Sequence, residues 1–425
     1  MFERSAVRLS PEHPNSRTAE QPNARNSSEE TCLTSTRYLA AFYFWYFAAI
    51  GISEPYLTPF WRSLGFSPAE LGLLNAIAPG VAALAPFLWT AYADATRQGE
   101  RIFLWNSWAA ALAALLLPNL RAFLPVAGAV LAYSAFRVSL IPLANAMTFR
   151  ALAGRRQGYA AIRLWGTVGY ILVAVAAGAV ADRLGLRVGI YGLAVAMLAC
   201  AVVAWMGRSR ERRILPPVRL GEFLQVLRRR PVVLFLTATG LAQMSYGPYS
   251  TFFTIHLEGL GFSRAFAGMA WALAASSELV VMLLWPRLCS LASARTWLTA
   301  ALALHALRWG LFVVARDPAV ILAIQLTHAF TFGVFYLASV QIMDALAPEG
   351  LRATAQGIFA SIAFGVSGLV GNVLGGRFYE PLGMQRLYAV ASVVAAAATL
   401  LYWAGTRASG GVERSLAAHP SGDTP

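Results

Sequence analysis

Lysine is absent from this sequence: all 34 basic residues among its 425 are arginine. Charged residues are scarce as well, at 13% of the chain, whereas hydrophobic residues make up 58%. A soluble globular protein carries roughly 25% charged residues. So few charges exclude a soluble protein of this length and predict a polytopic membrane protein.

Cysteine is also rare, and its three copies, Cys32, Cys200 and Cys289, are far apart. This spacing matches neither a disulfide framework nor a metal site. The sequence has no His-Glu-x-x-His motif and no clustered carboxylates, the constellations that membrane enzymes usually need. We therefore expect no metal, no cofactor and no enzymatic activity.

Long apolar runs, by contrast, are abundant. A helix needs about 20 apolar residues to cross a hydrocarbon core of roughly 30 Å. Such runs predict an all-α membrane protein with twelve transmembrane helices. They lie near residues 38–60, 69–92, 102–118, 123–147, 162–181, 187–206, 231–256, 265–286, 296–315, 318–343, 354–376 and 384–404.

The arginines are distributed unevenly among the predicted loops. With a cytoplasmic N-terminus, sixteen fall in inner loops and eight in outer loops, in agreement with the positive-inside rule. The net charge of +14 is thereby attributed to topology and to contact with anionic membrane lipids, so nucleic acid is not an expected partner. We expect a multi-pass protein of the cell inner membrane with both termini in the cytoplasm.

An internal repeat divides the chain. The pattern Gly-Phe-Ser-x-Ala-x-x-Gly at residues 65–72 recurs at 261–268, an offset of 196. The repeat predicts two parallel, pseudo-symmetric six-helix bundles with substrate bound near the midplane between them. The predicted boundaries are a disordered cytosolic tail at 1–36, an N-terminal bundle at 37–206, a basic cytosolic linker with an amphipathic stretch at 207–230, a C-terminal bundle at 231–405 and a second cytosolic tail at 406–425.

Four ionisable residues lie deep inside apolar runs: Arg163, Glu278, Arg308 and His328. A charge at the centre of a bilayer costs about 3 kcal/mol, so such residues persist mainly where they pair or face a wet cavity. They predict a transport or proton-relay site. The structural alternatives are a static Glu278–Arg308 ion pair, a hydrogen-bonding core role for His328 and snorkelling of Arg163 to the membrane surface.

Short motifs along the chain occur in a recognisable order. They are Ser35 to Gly72, Pro142 to Ala146, Arg163 to Gly166, Leu307 to Gly310 and His328 to Phe332. In this order and spacing they resemble the phenylpropionate permeases of the major facilitator superfamily and, more distantly, oligosaccharide/proton symporters of the lactose permease type. The resemblance covers residues 35–405 and implies the major facilitator fold.

The resemblance also implies roles for single residues. Arg163, with Tyr170 seven residues later, matches the arginine and aromatic residue that bind substrate in the lactose permease type. Glu278 matches a carboxylate that contacts substrate in both groups. Arg308 and His328 match members of the proton-coupling network, so we expect Glu278, Arg308 and His328 to handle the proton.

Three residues depart from the lactose permease pattern. Asn145 stands where that pattern has an acidic partner for the arginine, Thr331 replaces a proton-carrying glutamate, and Gln325 replaces a lysine. The unpartnered Arg163 offers a planar fork that suits a carboxylate. The departures therefore favour an anionic substrate over a sugar.

Further polar residues are assigned to the cavity or to its gate. We expect Glu54 and Arg137 to face the cavity and contact substrate, and whether they pair with each other stays open. Asp94 and Arg101 lie in a degenerate loop signature and are expected to support the inner gate. Asp182 lies in a better copy of that signature and is interpreted as a loop cap.

The sequence thus predicts a secondary transporter that functions as a monomer and takes up a small organic solute with protons by alternating access. The favoured substrate is an aromatic carboxylate such as a phenylpropionate, bound by Arg163 or Arg308. Uptake of an oligosaccharide or a nucleoside, and export instead of uptake, are the alternatives among transporters. A non-transporting membrane sensor is a remote alternative, because the predicted tails are short and polar.

Overall fold

The computed structural model describes residues 22–96, 98–152, 157–207, 227, 229–347 and 351–408. Within these ranges the protein consists of helices and connecting turns, without a β-strand. The predicted all-α class is therefore confirmed. Most of the predicted linker, residues 1–21 of the first tail and residues 409–425 of the second lie outside the described ranges.

Among the described residues, seven α-helices form the N-terminal half. They are α1 Pro22–Ser63, α2 Pro68–Thr96, α3 Gly99–Leu116, α4 Phe123–Arg137, α5 Leu140–Ala151, α6 Gln157–Leu184 and α7 Leu186–Met206. Residues 22–36 belong to α1, although the sequence predicted a disordered tail there. Pro22 suits the first position of a helix, and residues 23–36 contain neither proline nor glycine, so nothing local ends the helix before the membrane span.

In the part of the C-terminal half that the structure describes there are eight α-helices. They are α8 Arg230–Ser245, α9 Gly247–Gly259, α10 Arg264–Leu291, α11 Ala294–Val314, α12 Pro318–Leu326, α13 Phe335–Leu346, α14 Arg352–Ala360 and α15 Ser367–Ala408. Two π-helical segments, Ala329–Val334 and Ser361–Val366, lie between α12 and α13 and between α14 and α15. Such segments are rare and occur frequently at functional sites.

Nine stretches of the described residues can cross a membrane by length and composition. The last, Thr354–Arg407, contains two of the predicted spans, because the backbone bends at Gly383. The predicted first and seventh spans correspond to α1 and to the α8–α9 pair, which are not among the nine and contain many tyrosine and polar residues. The count of twelve stays a prediction.

The repeated Gly-Phe-Ser motif forms the same turn twice. Gly65 and Gly261 have φ angles of 92° and 89°, in the left-handed region that favours glycine. Ser67 and Ser263 each accept a hydrogen bond from the backbone N–H three residues later, which caps the helix that follows. The sequence repeat is thus a structural repeat. We call the side with these two turns the hairpin face and the side where α1 begins the linker face.

The two halves meet near the hairpin face. Helix α6 packs against α10, and α2 packs against α15. Gly268 leaves no room for a Cβ beside the Ala174 backbone of the opposite half. Asn372 donates from Nδ2 to the Asn75 carbonyl at 3.0 Å, again across the halves. These contacts close the hairpin face in this conformation.

Candidate functional site

Arg308 lies in α11 and is fully buried at the centre of a polar cluster. Its guanidinium donates to Gln325 Oε1 at 2.7 Å and to Thr331 Oγ1 at 2.9 Å. It also lies 4.8 Å from the ring centroid of Tyr249, a cation–π contact. Protein groups therefore enclose this cation, and a substrate does not reach it in this conformation. Gln325 and Thr331, which depart from the lactose permease pattern, thus supply neutral acceptors for the buried charge.

His328 links Arg308 to Glu278. Its Nδ1 lies 2.9 Å from the Arg308 guanidinium. Because a guanidinium only donates, Nδ1 accepts, and a neutral imidazole carries its proton on Nε2. This Nε2 lies 4.0 Å from Glu278 Oε2, which is longer than a hydrogen bond. The imidazole thus stands between Glu278 and Arg308, and the two do not form the static ion pair considered from the sequence.

Glu278 differs from Arg308 in its access to the cavity. Its side chain is 21% exposed, and it lies within electrostatic range of Arg163 in the other half. His328, at 10% side-chain exposure, lies between the accessible carboxylate and the enclosed guanidinium. The C-terminal cluster therefore presents a carboxylate to the cavity and keeps its permanent cation behind it.

Arg163 lies in α6 with its guanidinium 3.8 Å from the ring centroid of Phe47 and 5.7 Å from that of Tyr43. Such contacts stabilise the cation without using its N–H donors. Among the described residues the guanidinium makes neither a hydrogen bond nor an ion pair, and the residue is partly exposed. Because Arg163 packs against α1, a position at the cavity is favoured over snorkelling to the membrane surface. Its guanidinium N–H donors are available to an anion.

Asn145 orders two tyrosines near Arg163. Its Oδ1 accepts from Tyr43 OH at 2.7 Å and from Tyr159 OH at 3.0 Å. The amide therefore does not replace the missing acidic partner of Arg163. We did not predict Tyr43, Tyr159 or Phe47 from the sequence. Helical spacing could have indicated them, because Tyr159 precedes Arg163 by four residues, as Tyr43 precedes Phe47.

Glu54 and Arg137 do not pair directly. Glu54 Oε2 accepts from Tyr170 OH at 3.1 Å, whereas Arg137 donates to Tyr46 OH at 3.1 Å and lies 5.4 Å from the ring centroid of Tyr133. Tyr170 therefore contacts Glu54 and lies two helical turns from Arg163. Arg163 and Tyr170, which the resemblance implies as a substrate-binding pair, thus lie at separate levels of the cavity.

The predicted inner-gate residues lie near the linker face. Asp94 is in the last turn of α2, and its side chain lies outside the described part of the structure. Arg101 is exposed in the first turn of α3 and donates to Gln98 Oε1 at 3.4 Å. Their gating role stays a prediction.

Asp182 caps a helix of the opposite half. Its two carboxylate oxygens accept from the backbone N–H groups of Arg264 at 3.0 Å and Ala265 at 2.9 Å, at the start of α10. A carboxylate at a helix N-terminus satisfies unpaired donors and interacts favourably with the helix dipole. The Arg264 side chain also donates to the Ala181 carbonyl at 3.3 Å. The sequence predicted a loop cap, whereas Asp182 lies in the last turn of α6 and its cap joins the two halves across the hairpin face.

We expect Asp182→Ala to loosen the hairpin face. Loss of a helix cap costs about 1 kcal/mol, which would shift the balance between closed and open forms about five-fold. Double electron–electron resonance between spin labels at positions 62 and 386, in a background without native cysteines, should show a larger population of long distances. Asp317→Ala is the matched control, because Asp317 caps α12 within its own half. Equal distributions in both variants would contradict the prediction.

Long helices packed in two related halves, with a few charges enclosed between them, define the class of secondary transporters. The pattern of the MFS_1 like family matches residues 36–390, and the chain belongs to that family. It is 26% identical over 373 residues to the probable 3-phenylpropionic acid transporter of Escherichia coli (strain K12), covering 85% of this chain and 96% of that protein. It is also 26% identical over 359 residues to the maltose permease of Geobacillus stearothermophilus, covering 83% and 90%.

A solved structure with the same architecture is that of a mutant form of the nucleoside transporter NupG. It aligns with a TM-score of 0.79 over 87% of this chain and 99% of that chain, at 15% sequence identity. At this identity the likeness establishes the fold. The protein is thus a multi-pass membrane transporter of the major facilitator type for a small-molecule substrate and is not an enzyme, and the predicted family and fold class are confirmed.

Proposed function

We propose that this transporter takes up a small aromatic carboxylate together with protons across the cell inner membrane, as a monomer with both termini in the cytoplasm. The observation that carries the proposal is the Arg163 guanidinium, which is partly exposed and has no hydrogen-bonding partner among the described residues. A guanidinium binds a carboxylate through two parallel hydrogen bonds. Arg308 is the weaker candidate because it is fully buried. The Escherichia coli relative is named as a probable 3-phenylpropionic acid transporter, which supports an aryl acid as the substrate.

The proposed coupling to protons is supported by the opposite charges of Arg163 and Glu278, which belong to different halves. In the empty site, Arg163 and an ionised Glu278 lie within electrostatic range and balance each other. A substrate anion at Arg163 and an ionised Glu278 repel, so the anion binds best when Glu278 carries a proton. Substrate and proton therefore bind together, and each one favours binding of the other.

His328 and Arg308 act as positioning residues in this proposal. The Arg308 N–H holds His328 Nδ1 as an acceptor, so the imidazole keeps its Nε2–H on the side of Glu278. The fixed charge of Arg308 also disfavours a second proton on the imidazole. Glu278 is then the group that takes and releases the transported proton.

Transport also requires the two halves to move relative to each other. In the present conformation the hairpin face is closed by contacts such as the Asp182 cap on α10. For the hairpin face to open, the Asp182 cap on α10 has to break, and the linker face then closes. The proton-loaded, substrate-loaded site favours this exchange because the charges of Arg163 and Glu278 are then neutralised.

An uptake experiment tests the proposal directly. Cells expressing the protein receive labelled 3-phenylpropionate, maltose or uridine, with and without a protonophore, and empty-vector cells provide the background. We expect accumulation of the aryl acid that the protonophore abolishes. Accumulation of only the disaccharide or only the nucleoside would overturn the substrate assignment. If cells preloaded with the aryl acid lose it and the protonophore stops that loss, the protein is an exporter.

A further inference from the structure

We propose that Glu54 is a specificity-determining residue: it binds a hydrogen-bond donor at the end of the substrate remote from its carboxylate. The substrate is then an aromatic acid with a phenol or amine on the far side of its ring. This inference rests on the proposed function, in which Arg163 binds the carboxylate end.

The first support is the access of Glu54 to the interior of the protein. The residue is exposed, yet its hydrogen-bond partner Tyr170 is buried in its own half, and α1 packs against α9 and α10 of the C-terminal half. Neighbours on both sides place its exposed surface in the cavity between the halves and not on the lipid side. A carboxylate in that position is available to a bound molecule.

The second support is the incomplete hydrogen bonding of this carboxylate. Tyr170 OH donates to Oε2 at 3.1 Å, and Oε1 accepts no hydrogen bond from the described residues. Among the described residues Arg137 makes no hydrogen bond to it and donates instead to Tyr46 OH. An ionised carboxylate accepts up to about four hydrogen bonds, so Glu54 keeps unused capacity that faces the cavity.

The third support is the spacing between Glu54 and Arg163. Phe47 contacts Arg163, and Glu54 contacts Tyr170. Each contact joins α1 to the residue 116 positions later in α6, and the two contacts are seven residues apart on both helices. At about 1.5 Å per residue, the two levels are about 10 Å apart. A carboxylate, a short carbon chain and a benzene ring with a para substituent fill such a distance.

The chemistry of the two levels defines the substrate. An arginine offers donors and a glutamate offers acceptors, so the molecule that satisfies both has an anion at one end and a donor at the other. A bare ring would instead desolvate the Glu54 carboxylate without giving it a partner, which is unfavourable. A hydrogen bond to a charged group corresponds to a preference of roughly 10- to 100-fold.

The test compares three acids in proteoliposomes: 3-phenylpropionate, 3-(4-hydroxyphenyl)propionate and 3-(4-methoxyphenyl)propionate. We expect the wild-type KM to be at least about 10-fold lower for the phenol than for the methyl ether. In Glu54→Gln the preference should shrink or reverse, because an amide can donate to the ether oxygen. Glu380→Gln, an exposed carboxylate at the hairpin face, is the matched control and should keep the wild-type preference.

The outcomes separate this inference from the proposed function. If the protein transports these acids with equal KM ratios in wild type and Glu54→Gln, the role of Glu54 is overturned while the aryl-acid assignment stands. If Glu54→Gln abolishes accumulation of all three acids with unchanged KM ratios in counterflow, Glu54 is a coupling residue and the inference is again overturned. If none of the acids is transported, both proposals fail. Comparable thermal unfolding of the purified variants establishes that each is folded.

Discussion

Glu278→Gln should abolish proton-driven accumulation of substrate while leaving substrate exchange intact. Glutamine resembles the protonated carboxyl group and carries no charge, so the variant remains in the form that accepts an anion at Arg163. It has no proton to release on the far side, and a proton gradient then performs no work on the substrate. The reason is structural: this carboxylate is partly exposed and lies within electrostatic range of Arg163 in the other half.

The measurement uses proteoliposomes with an imposed pH gradient, followed by counterflow at equal pH on both sides. Wild type should accumulate label in the first assay and exchange it in the second, whereas Glu278→Gln should only exchange. Glu380→Gln removes a carboxylate of the same type from an exposed position at the hairpin face and should behave as wild type in both assays. Gradient-driven accumulation by Glu278→Gln would exclude Glu278 as the coupling residue.

Arg163→Gln should raise the KM for the aryl carboxylate by about 10- to 100-fold. Hydrogen bonds to a charged group contribute about 1.5 to 3 kcal/mol, and each 1.4 kcal/mol corresponds to about ten-fold. Arg163→Lys keeps the charge but loses the planar fork, so an intermediate KM is expected. The uncharged amide of the same acid should not distinguish the three proteins, because it makes no charge-assisted pair with the guanidinium.

Initial rates of uptake at varied substrate concentration provide this measurement. Arg386→Gln is the control for loss of a cationic side chain, since Arg386 is exposed at the hairpin face. An unchanged KM in Arg163→Gln would show that the anion binds elsewhere. Arg308 would then have to leave its acceptors Gln325 and Thr331, which requires a different arrangement of α11 and α12.

Much of the architecture could be predicted from the sequence because a bilayer restricts the choices. Apolar runs of sufficient length can only be helices there. The Gly-Phe-Ser motif predicted a repeat because a positive φ at glycine and a serine cap are local requirements. The start of α1 at Pro22 was missed, since the polar residues after Pro22 suggested disorder although nothing in them ends a helix.

The sequence predicted a group of ionisable residues inside the membrane-spanning segments, but it did not predict their partners. The sequence left open whether Glu54 pairs with Arg137 and whether Glu278 pairs with Arg308. Neither pair forms: tyrosines contact the first two residues, and His328 lies between the second two. Which partner a long side chain selects depends on distances between helices that are remote in the chain, and these distances have no local signature.

Composition, apolar run length and motif order were sufficient to determine that this protein is a helical membrane transporter with ionisable residues at its centre. The helical and membrane-spanning character follows from the local preference of a residue for lipid, water or a turn, whereas the transporter class is implied by the resemblance of the motifs to known permeases. Access to the ionisable residues was decided by the packing of the helices. The contacts of α11 with α12 and the π-helical segment enclose Arg308, whereas the contact of α6 with α1 leaves the Arg163 donors available. Two arginines of equal intrinsic chemistry thereby acquire different expected roles. A guanidinium buried against Gln325, His328 and Thr331 supports the structure, whereas an accessible one can bind an anion.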